Sequence, residues 1–194
     1  LRDVPTSYPM TKKPLVRFLD RTTPPHIFTL IFLSGMSALA TNMFLPSLPH
    51  MATDFDTSYA LMQLSVPLFL ACNAILQIFI GPLSDKMGRR FVLLLGICIF
   101  ILATIGCLLA PTVEVFLAFR MMQASIAVAM VLSRAVIRDV YDQESSASVM
   151  AYVTMGMAIV PMISPSVGGI LDETFGWQSN FWFFLVAGIL ALAL

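Results

Sequence analysis

A permanent positive charge lies within a long apolar run of this chain. Arg120 belongs to the run 114–137 and is the one formal charge deep inside any such run. An arginine keeps its proton, so this side chain must face protein, water or a binding partner. Arg120 is therefore a candidate for binding a polar group of a substrate. The alternative is that Arg120 extends to the membrane interface as an anchor.

Amide side chains within the apolar runs offer hydrogen bonds at membrane depth without a titratable group. Asn42 lies late in the first apolar run, and Asn73 and Gln77 lie four residues apart in the second. Such side chains either line a cavity or hold neighbouring helices together, and the spacing leaves both interpretations open. No Asp or Glu lies inside any of the apolar runs, so coupling to protons by this part of the chain alone is in doubt.

The stretch 81–90 reads Gly-Pro-Leu-Ser-Asp-Lys-Met-Gly-Arg-Arg and is the most informative in the chain. Its Gly81–Pro82 pair predicts the end of a helix, and Gly88 permits a left-handed turn. Ser84 or Asp85 is expected to cap the helix that follows.

Two arginines end this stretch. Arg89 and Arg90 can reach lipid phosphates or a nearby carboxylate. A tight hairpin with basic membrane anchors would account for these charges. It would not account for the fixed order of two glycines, an aspartate and two basic residues, which is rare at background frequencies.

Prolines and glycines are concentrated in the fifth apolar run. Pro161 and Pro165 are four residues apart, so they share one helix face and leave backbone carbonyls unpaired. Gly168 and Gly169, with Gly156 upstream, permit close contact with another helix. Glycine and proline are also common in ordinary kinked membrane helices, and that interpretation stays open.

These residues must be positioned by membrane-spanning helices. Of the 194 residues, 58% are hydrophobic and only 11% are charged, which excludes a soluble enzyme and a disordered chain. Eleven basic residues merely equal eleven acidic ones, which argues against a nucleic-acid binder.

The expected fold is an all-α membrane protein with six transmembrane helices, from the apolar runs 26–46, 59–80, 91–110, 114–137, 148–171 and 178–194. Because the last run stops abruptly, we expect the chain to be truncated in span six.

The distribution of lysine and arginine predicts the orientation. The segments 47–58, 111–113 and 172–177 hold none. We therefore expect residues 1–25 to form a cytoplasmic basic tail and both ends of 26–194 to face the cytoplasm. The first run follows a basic tail, as in a secretory signal, but it is too long for one. The basic residues on the predicted cytoplasmic side are Arg2, Lys12, Lys13, Arg17, Arg21, Lys86, Arg89, Arg90, Arg134 and Arg138.

The order of residues in 81–90 resembles the signature loop of the major facilitator superfamily, Gly-x-Leu-x-Asp-x-x-Gly-Arg-Arg/Lys. The resemblance implies twelve helices in two six-helix halves, around one cavity that opens to alternate sides, with this chain as the N-terminal half. It also implies a charge cluster of Asp85, Arg89 and Asp139 that holds the cytoplasmic side in one state. Ion pairs at the cytoplasmic surface can form and break at little cost in free energy as the two halves move.

Further motifs resemble those of drug/proton antiporters in that superfamily. The Arg120-x-x-Gln123 pattern resembles their fourth-helix motif, although Ala124 stands where a glycine is frequent. Residues 156–169 resemble the fifth-helix motif of exporters, with Ser164 in place of a glycine. Residues 41–49 and 138–141 resemble the Bcr/CflA family of bacterial drug exporters, which usually has Asp where this chain has Asn42.

The resemblance implies a transporter of the bacterial inner membrane that exports small, largely apolar drugs by proton antiport. It would need no cofactor or metal beyond the proton gradient. Its partners would be a small-molecule substrate, the lipid bilayer and a second six-helix half, and not nucleic acid. A major facilitator importer of a metabolite is the first alternative. An intramembrane protease is another, but His26 and His50 only flank the first run. A structural or receptor-like protein would not explain the loop motif.

Overall fold

The computed structural model of the chain describes residues 26–140 and 143–194, and in these ranges the chain is helical without a β-strand. The predicted tail 1–25 lies outside the described residues. Two short 3-10 segments, Leu45–Ser47 and Gln123–Ile126, interrupt the α-helices. The α-helices are α1 (Ile27–Asn42), α2 (Leu48–Asp54), α3 (Tyr59–Gln63), α4 (Ser65–Met87), α5 (Arg89–Leu108), α6 (Val113–Met122), α7 (Ala127–Val140), α8 (Gln143–Phe175) and α9 (Gln178–Ala193).

These helices join into six apolar segments. Five are long and apolar enough to cross a membrane, and α9 is a shorter apolar helix of 16 residues. The prediction of an all-α membrane protein with six apolar helical segments is therefore confirmed. The five longer segments are Ile27–Asp54, Tyr59–Met87, Arg89–Leu108, Val113–Val140 and Ser146–Phe175.

The helices extend beyond the apolar runs that predict them. The first continues through the 3-10 turn into α2, so most of the predicted loop 47–58 is helical. An apolar run marks only the part of a helix that lies in hydrocarbon. The backbone keeps its internal hydrogen bonds past that limit, where polar side chains can already be solvated.

The prediction that Gly81 and Pro82 end a helix is wrong. Helix α4 continues through both residues to Met87 and ends at Gly88, which has a φ of 91°. A proline costs a helix one backbone bond, whereas stopping there would leave several backbone groups unpaired. The predicted cap is also wrong, because the Ser84 hydroxyl donates to the Gly81 carbonyl inside α4, 2.8 Å away.

Consecutive segments run in opposite directions, because their connections are short, and the bundle therefore has two distinct ends. At the basic end, α4 meets α5 and α7 carries Arg138 and Asp139. At the aromatic end, α2, α6 and the start of α9 bring together Phe55, Phe116 and Trp177, with ring centroids 5.5–6.3 Å apart.

Burial is uneven around the bundle. The interior is filled by phenylalanines from several segments, while α4 and α8 leave most of their apolar side chains exposed. Such helices need apolar surroundings, which lipid or another helical domain supplies. The fully buried phenylalanines are Phe44, Phe69, Phe100, Phe116, Phe181 and Phe184.

Candidate functional site

Arg120 is at the centre of a buried polar site. It lies in the last turn of α6 and is 1% exposed, so it does not extend to the membrane interface. One terminal nitrogen, Nη1, donates to Gln123 Oε1 at 2.6 Å, and Nη2 donates to the Ala40 carbonyl at 2.5 Å. The guanidinium carbon lies 4.1 Å from the ring centroid of Phe44 and 4.3 Å from that of Phe69. Two aromatic faces thus surround the cation.

A helix end supplies the acceptor for Arg120 Nη2. Helix α1 ends at Asn42, so the carbonyl of Ala40 belongs to the last turn and is available to a partner outside the helix. The negative end of the helix dipole also favours a cation there. Arg120 thereby ties the fourth segment to the first.

The network continues into the third segment. Gln123 Nε2 donates to the Thr104 hydroxyl at 2.8 Å, and Thr104 donates to the Phe100 carbonyl at 2.7 Å. Sequence reasoning missed Thr104, because a threonine that bonds its own helix is common in any membrane helix. These contacts fix the orientation of the Gln123 amide, whose oxygen is then aimed at the guanidinium.

One atom of the arginine remains available. Arg120 Nε is buried and has no hydrogen-bond partner among the described residues. The partners that the side chain does have are neutral, so the positive charge is balanced only by dipoles and aromatic faces. The site therefore holds one unused hydrogen-bond donor on a charged group.

The amides of Asn42, Asn73 and Gln77 form their hydrogen bonds with groups other than Arg120. Asn42 donates to the Ala38 carbonyl of its own helix at 2.7 Å and is half-buried. The amides of α4 bond each other, Gln77 Nε2 donating to Asn73 Oδ1 at 2.5 Å. Gln123 alone among the predicted cavity amides contacts the arginine directly.

A groove of about 620 Å³ lies at the basic end, between α4, α7 and α8. Arg89 forms ion pairs there with Asp139 and with Asp85, the latter at 3.8 Å. Gln77, Gly81, Arg134 and Arg138 line the same groove, while Arg90 is exposed beside it. Because these pairs are partly solvated, each stabilises its arrangement by only about 0–1 kcal/mol and can break readily.

The glycines of α8 face the first segment. A Cβ added at Gly156 would lie 2.7 Å from Ile31 Cγ2, and one at Gly168 would overlap the carbonyl oxygen of Met43. Gly169 is less restricted, since a Cβ there would be 3.7 Å from Pro46. Small side chains thus let α8 pack closely against α1 and the turn that follows it.

The prolines of this motif do not end the helix. Pro161 and Pro165 are half-buried within one continuous helix, α8. Each removes one backbone donor, so the carbonyls of Met157 and Pro161 lose their usual partners.

Polar contacts at the aromatic end were missed by sequence reasoning. His50 on α2 lies 2.7 Å from Asp172 near the end of α8, and Trp177 Nε1 donates to Asp54 at 2.7 Å. Asp172 falls one position past the predicted fifth run, in the predicted loop 172–177. Its burial depends on α2 folding against α8, which no local pattern reveals.

Comparison with known proteins connects this site to one family. A family model described as Major Facilitator Superfamily matches residues 30–194. The uncharacterized MFS-type transporter YdgK of Bacillus subtilis (strain 168) is 36% identical over 183 residues, which are 91% of this chain and 46% of that protein.

Two relatives carry names that refer to drug resistance. Multidrug resistance protein D of Escherichia coli (strain K12) is 30% identical over 161 residues, 82% of this chain and 41% of the relative. A chloramphenicol resistance protein of Pseudomonas aeruginosa is 35% identical over 171 residues, 85% of this chain and 41% of the relative. The chain thus spans less than half the length of each of these three curated relatives.

Proposed function

Because this chain belongs to the major facilitator superfamily, we propose that it forms the N-terminal half of a transporter that exports small, largely apolar drugs or xenobiotics. Export is driven by antiport with protons, so the proton gradient is the energy source and no cofactor takes part. The protein is a transporter and not an enzyme. The relatives named for multidrug and chloramphenicol resistance support this choice of substrate class.

The observation that carries the proposal is the arrangement around Arg120. A guanidinium between Phe44 and Phe69, with Nε unpartnered, offers one polar contact within an aromatic surface. Opened towards a cavity between the two halves, such a site would suit compounds that combine an apolar body with a hydrogen-bond acceptor. Asn42, Asn73 and Gln77 supply further amides on the two neighbouring segments, and flexible methionines allow an apolar pocket to accept different shapes.

The second half of the transporter is the main protein partner. The second half would pack on the exposed apolar faces of α4 and α8. Lipid would cover the rest of the bundle. The substrate cavity then lies between the halves.

The basic end faces the cytoplasm of a bacterium, and the protein lies in the inner membrane. The lysines and arginines at this end support that orientation. The ion pairs of Arg89 with Asp85 and Asp139 would hold the cytoplasmic side in one of two states.

Transport by the full-length protein tests the proposal. Inverted membrane vesicles that contain it are given an acidic interior, and accumulation of a fluorescent drug is measured with and without an uncoupler. An exporter accumulates the drug inside only while the gradient persists, and addition of drug alkalinises the interior. Accumulation driven in the opposite direction would favour the importer. Accumulation that is insensitive to the uncoupler would exclude proton antiport.

A further inference from the structure

One carboxylate is buried among the residues that the structure describes, and it lies at the aromatic end. The side chain of Asp172 is 4% exposed, and its Oδ2 lies 2.7 Å from His50 Nδ1. Its second oxygen, Oδ1, has no hydrogen-bond partner in the described part of the chain. Holding a carboxylate in this way costs free energy, so its presence calls for a functional explanation.

His50 connects this carboxylate to the aqueous phase. Its side chain is 65% exposed, although its Nδ1 contacts the buried Asp172. A proton from water can bind at Nε2 while the proton on Nδ1 moves to Oδ2. The imidazole then ends neutral, with its proton on the other nitrogen, and the carboxylate has become a carboxylic acid.

A row of polar atoms leads from Asp172 towards the middle of the bundle. Ser164, Gly168 and Asp172 are spaced by four residues and share one face of α8. Asn180 Nδ2 donates to the Gly168 carbonyl at 3.3 Å and to the Ser47 hydroxyl at 2.8 Å. The Asn180 Oδ1 and Ser164 Oγ atoms are buried and have no partner among the described residues. Buried hydrogen-bonding capacity thus continues about 12 Å along α8 from Asp172.

Within the part of the chain that the structure describes, no other charged side chain contacts Asp172. Helices α1 and α9 and the 3-10 turn 45–47, which pack against α8, carry no charged residue. Helix α7 carries its charges, Arg134, Arg138 and Asp139, at the opposite end. On α2, Asp54 is bonded to Trp177. On α8 itself, the neighbouring Glu173 is exposed. Among the described residues, His50 is the one titratable partner of Asp172.

We propose that Asp172 and His50 form a proton-binding site that is reached from the aqueous phase at the aromatic end. The site takes up the proton that is exchanged for the drug, and this part rests on the proposed antiport function. Protonation of Asp172 removes the charge that strengthens its contact with His50 and so weakens the attachment of α2 to α8. The hydrogen bonds of Asp54 with Trp177 and of Ser47 with Asn180 then still connect the first segment to the start of α9.

Infrared difference spectroscopy of the full-length transporter, reconstituted in lipid and titrated with acid, tests proton binding directly. Every carboxyl group contributes to the carbonyl band that acid produces, so we expect one component of the wild-type band to be missing in Asp172→Asn. Glu173→Gln is the matched control, since it makes the same change one residue away on an exposed side chain, and it should leave this component in place. Identical carbonyl bands in the wild type and Asp172→Asn would overturn the proposal.

Transport by the same preparations separates the proton site from the proposed function. Asp172→Asn should lose accumulation driven by a proton gradient but keep exchange of labelled for unlabelled drug, which needs no net proton movement. Gradient-driven transport at the wild-type rate in Asp172→Asn would overturn the coupling role. If the wild type itself shows no gradient-driven transport, the antiport function is wrong, while the infrared band still decides whether Asp172 binds a proton.

His50→Gln keeps the experiment decisive if Asp172→Asn does not insert. His50 is mostly exposed, so this substitution should leave folding intact. It removes the ring nitrogen that contacts Oδ2, and we expect the carbonyl band of Asp172 to shift in frequency. An unchanged band in His50→Gln would contradict the paired site.

Discussion

Gly168 of helix α8 lies directly against the carbonyl oxygen of Met43, in the turn that follows helix α1. The approach is so close that a Cβ at Gly168 would overlap this oxygen. Because Met43 belongs to a backbone turn and not to a flexible side chain, the turn cannot move aside without losing its own hydrogen bonds. The position of the first segment relative to the fifth is therefore set at this glycine.

Gly168→Ala should destabilise the protein by roughly 1–3 kcal/mol, the usual cost of overpacking, or more if the turn must shift. Gly169→Ala is the matched control, because its Cβ would meet Pro46 at an ordinary 3.7 Å and alanine favours a helix. The measurement is thermal unfolding of the purified full-length protein in one detergent. Equal unfolding temperatures for Gly168→Ala and the wild type would contradict the close approach.

The orientation of the bundle can be checked by labelling. We expect a cysteine at Lys86, at the basic end, to be protected in intact cells from a thiol reagent that does not cross membranes. A cysteine at Glu173, at the aromatic end, should be labelled. Both positions are exposed, and Cys72, Cys98 and Cys107 are replaced beforehand. Labelling at position 86 with protection at 173 would show the opposite topology.

Sequence reasoning identified the central charge and its partner Gln123, but not the other groups that hold it. A lone arginine inside an apolar run has to be buried against something polar, and Arg120 is. Its acceptor on α1 is the backbone of Ala40. Of its aromatic neighbours, Phe44 lies in the same first segment and Phe69 in the second. Neither kind of partner carries a pattern in the sequence, because any carbonyl or phenylalanine could occupy that place.

Helix-ending residues were misleading where the membrane requires the backbone to keep its hydrogen bonds. Gly81 and Pro82 would end a helix in water, but within a bilayer protein the backbone keeps its hydrogen bonds to Met87. Asp172 was missed for a different reason. A hydropathy run ends at the first charged residue, so it could not show that α2 buries this carboxylate.

The ion pairs of Arg89 should affect the rate of transport more than the binding of substrate. Arg89→Ala removes the contacts with Asp85 and Asp139, which lie outside the Arg120 site, and so it shifts a conformational equilibrium. Arg90→Ala is the control, since Arg90 is exposed and forms no ion pair with a described residue. Transport rate and drug affinity of the full-length protein are measured separately. Loss of affinity in correctly inserted Arg89→Ala protein would exclude this role.

Asn42 should influence the choice of substrate and not the coupling to protons. A carboxamide cannot bind a proton at working pH, and that of Asn42 bonds the Ala38 carbonyl of its own helix. Asn42→Ala should therefore change the relative transport of different drugs while each remains dependent on the proton gradient. Asn42→Asp should favour cationic drugs, because it adds a negative charge. If Asn42→Ala binds drug but transports it without proton movement, the residue takes part in coupling after all.

Arg120 should be required for export through the geometry of its guanidinium as well as its charge. Arg120→Lys keeps a positive charge, but one ammonium cannot reach both Ala40 and Gln123 while lying flat between two aromatic rings. A lost charge-assisted hydrogen bond costs about 1.5–3 kcal/mol, which corresponds to a fall in transport of roughly ten- to a hundredfold. Arg134→Lys makes the same change at an exposed arginine of the basic end and should leave transport intact. Drug-dependent proton flux in vesicles holding the full-length transporter is the measurement, after insertion has been verified. Wild-type flux in Arg120→Lys would mean that the arginine contributes only charge, and wild-type flux in Arg120→Ala would reduce it to a packing residue.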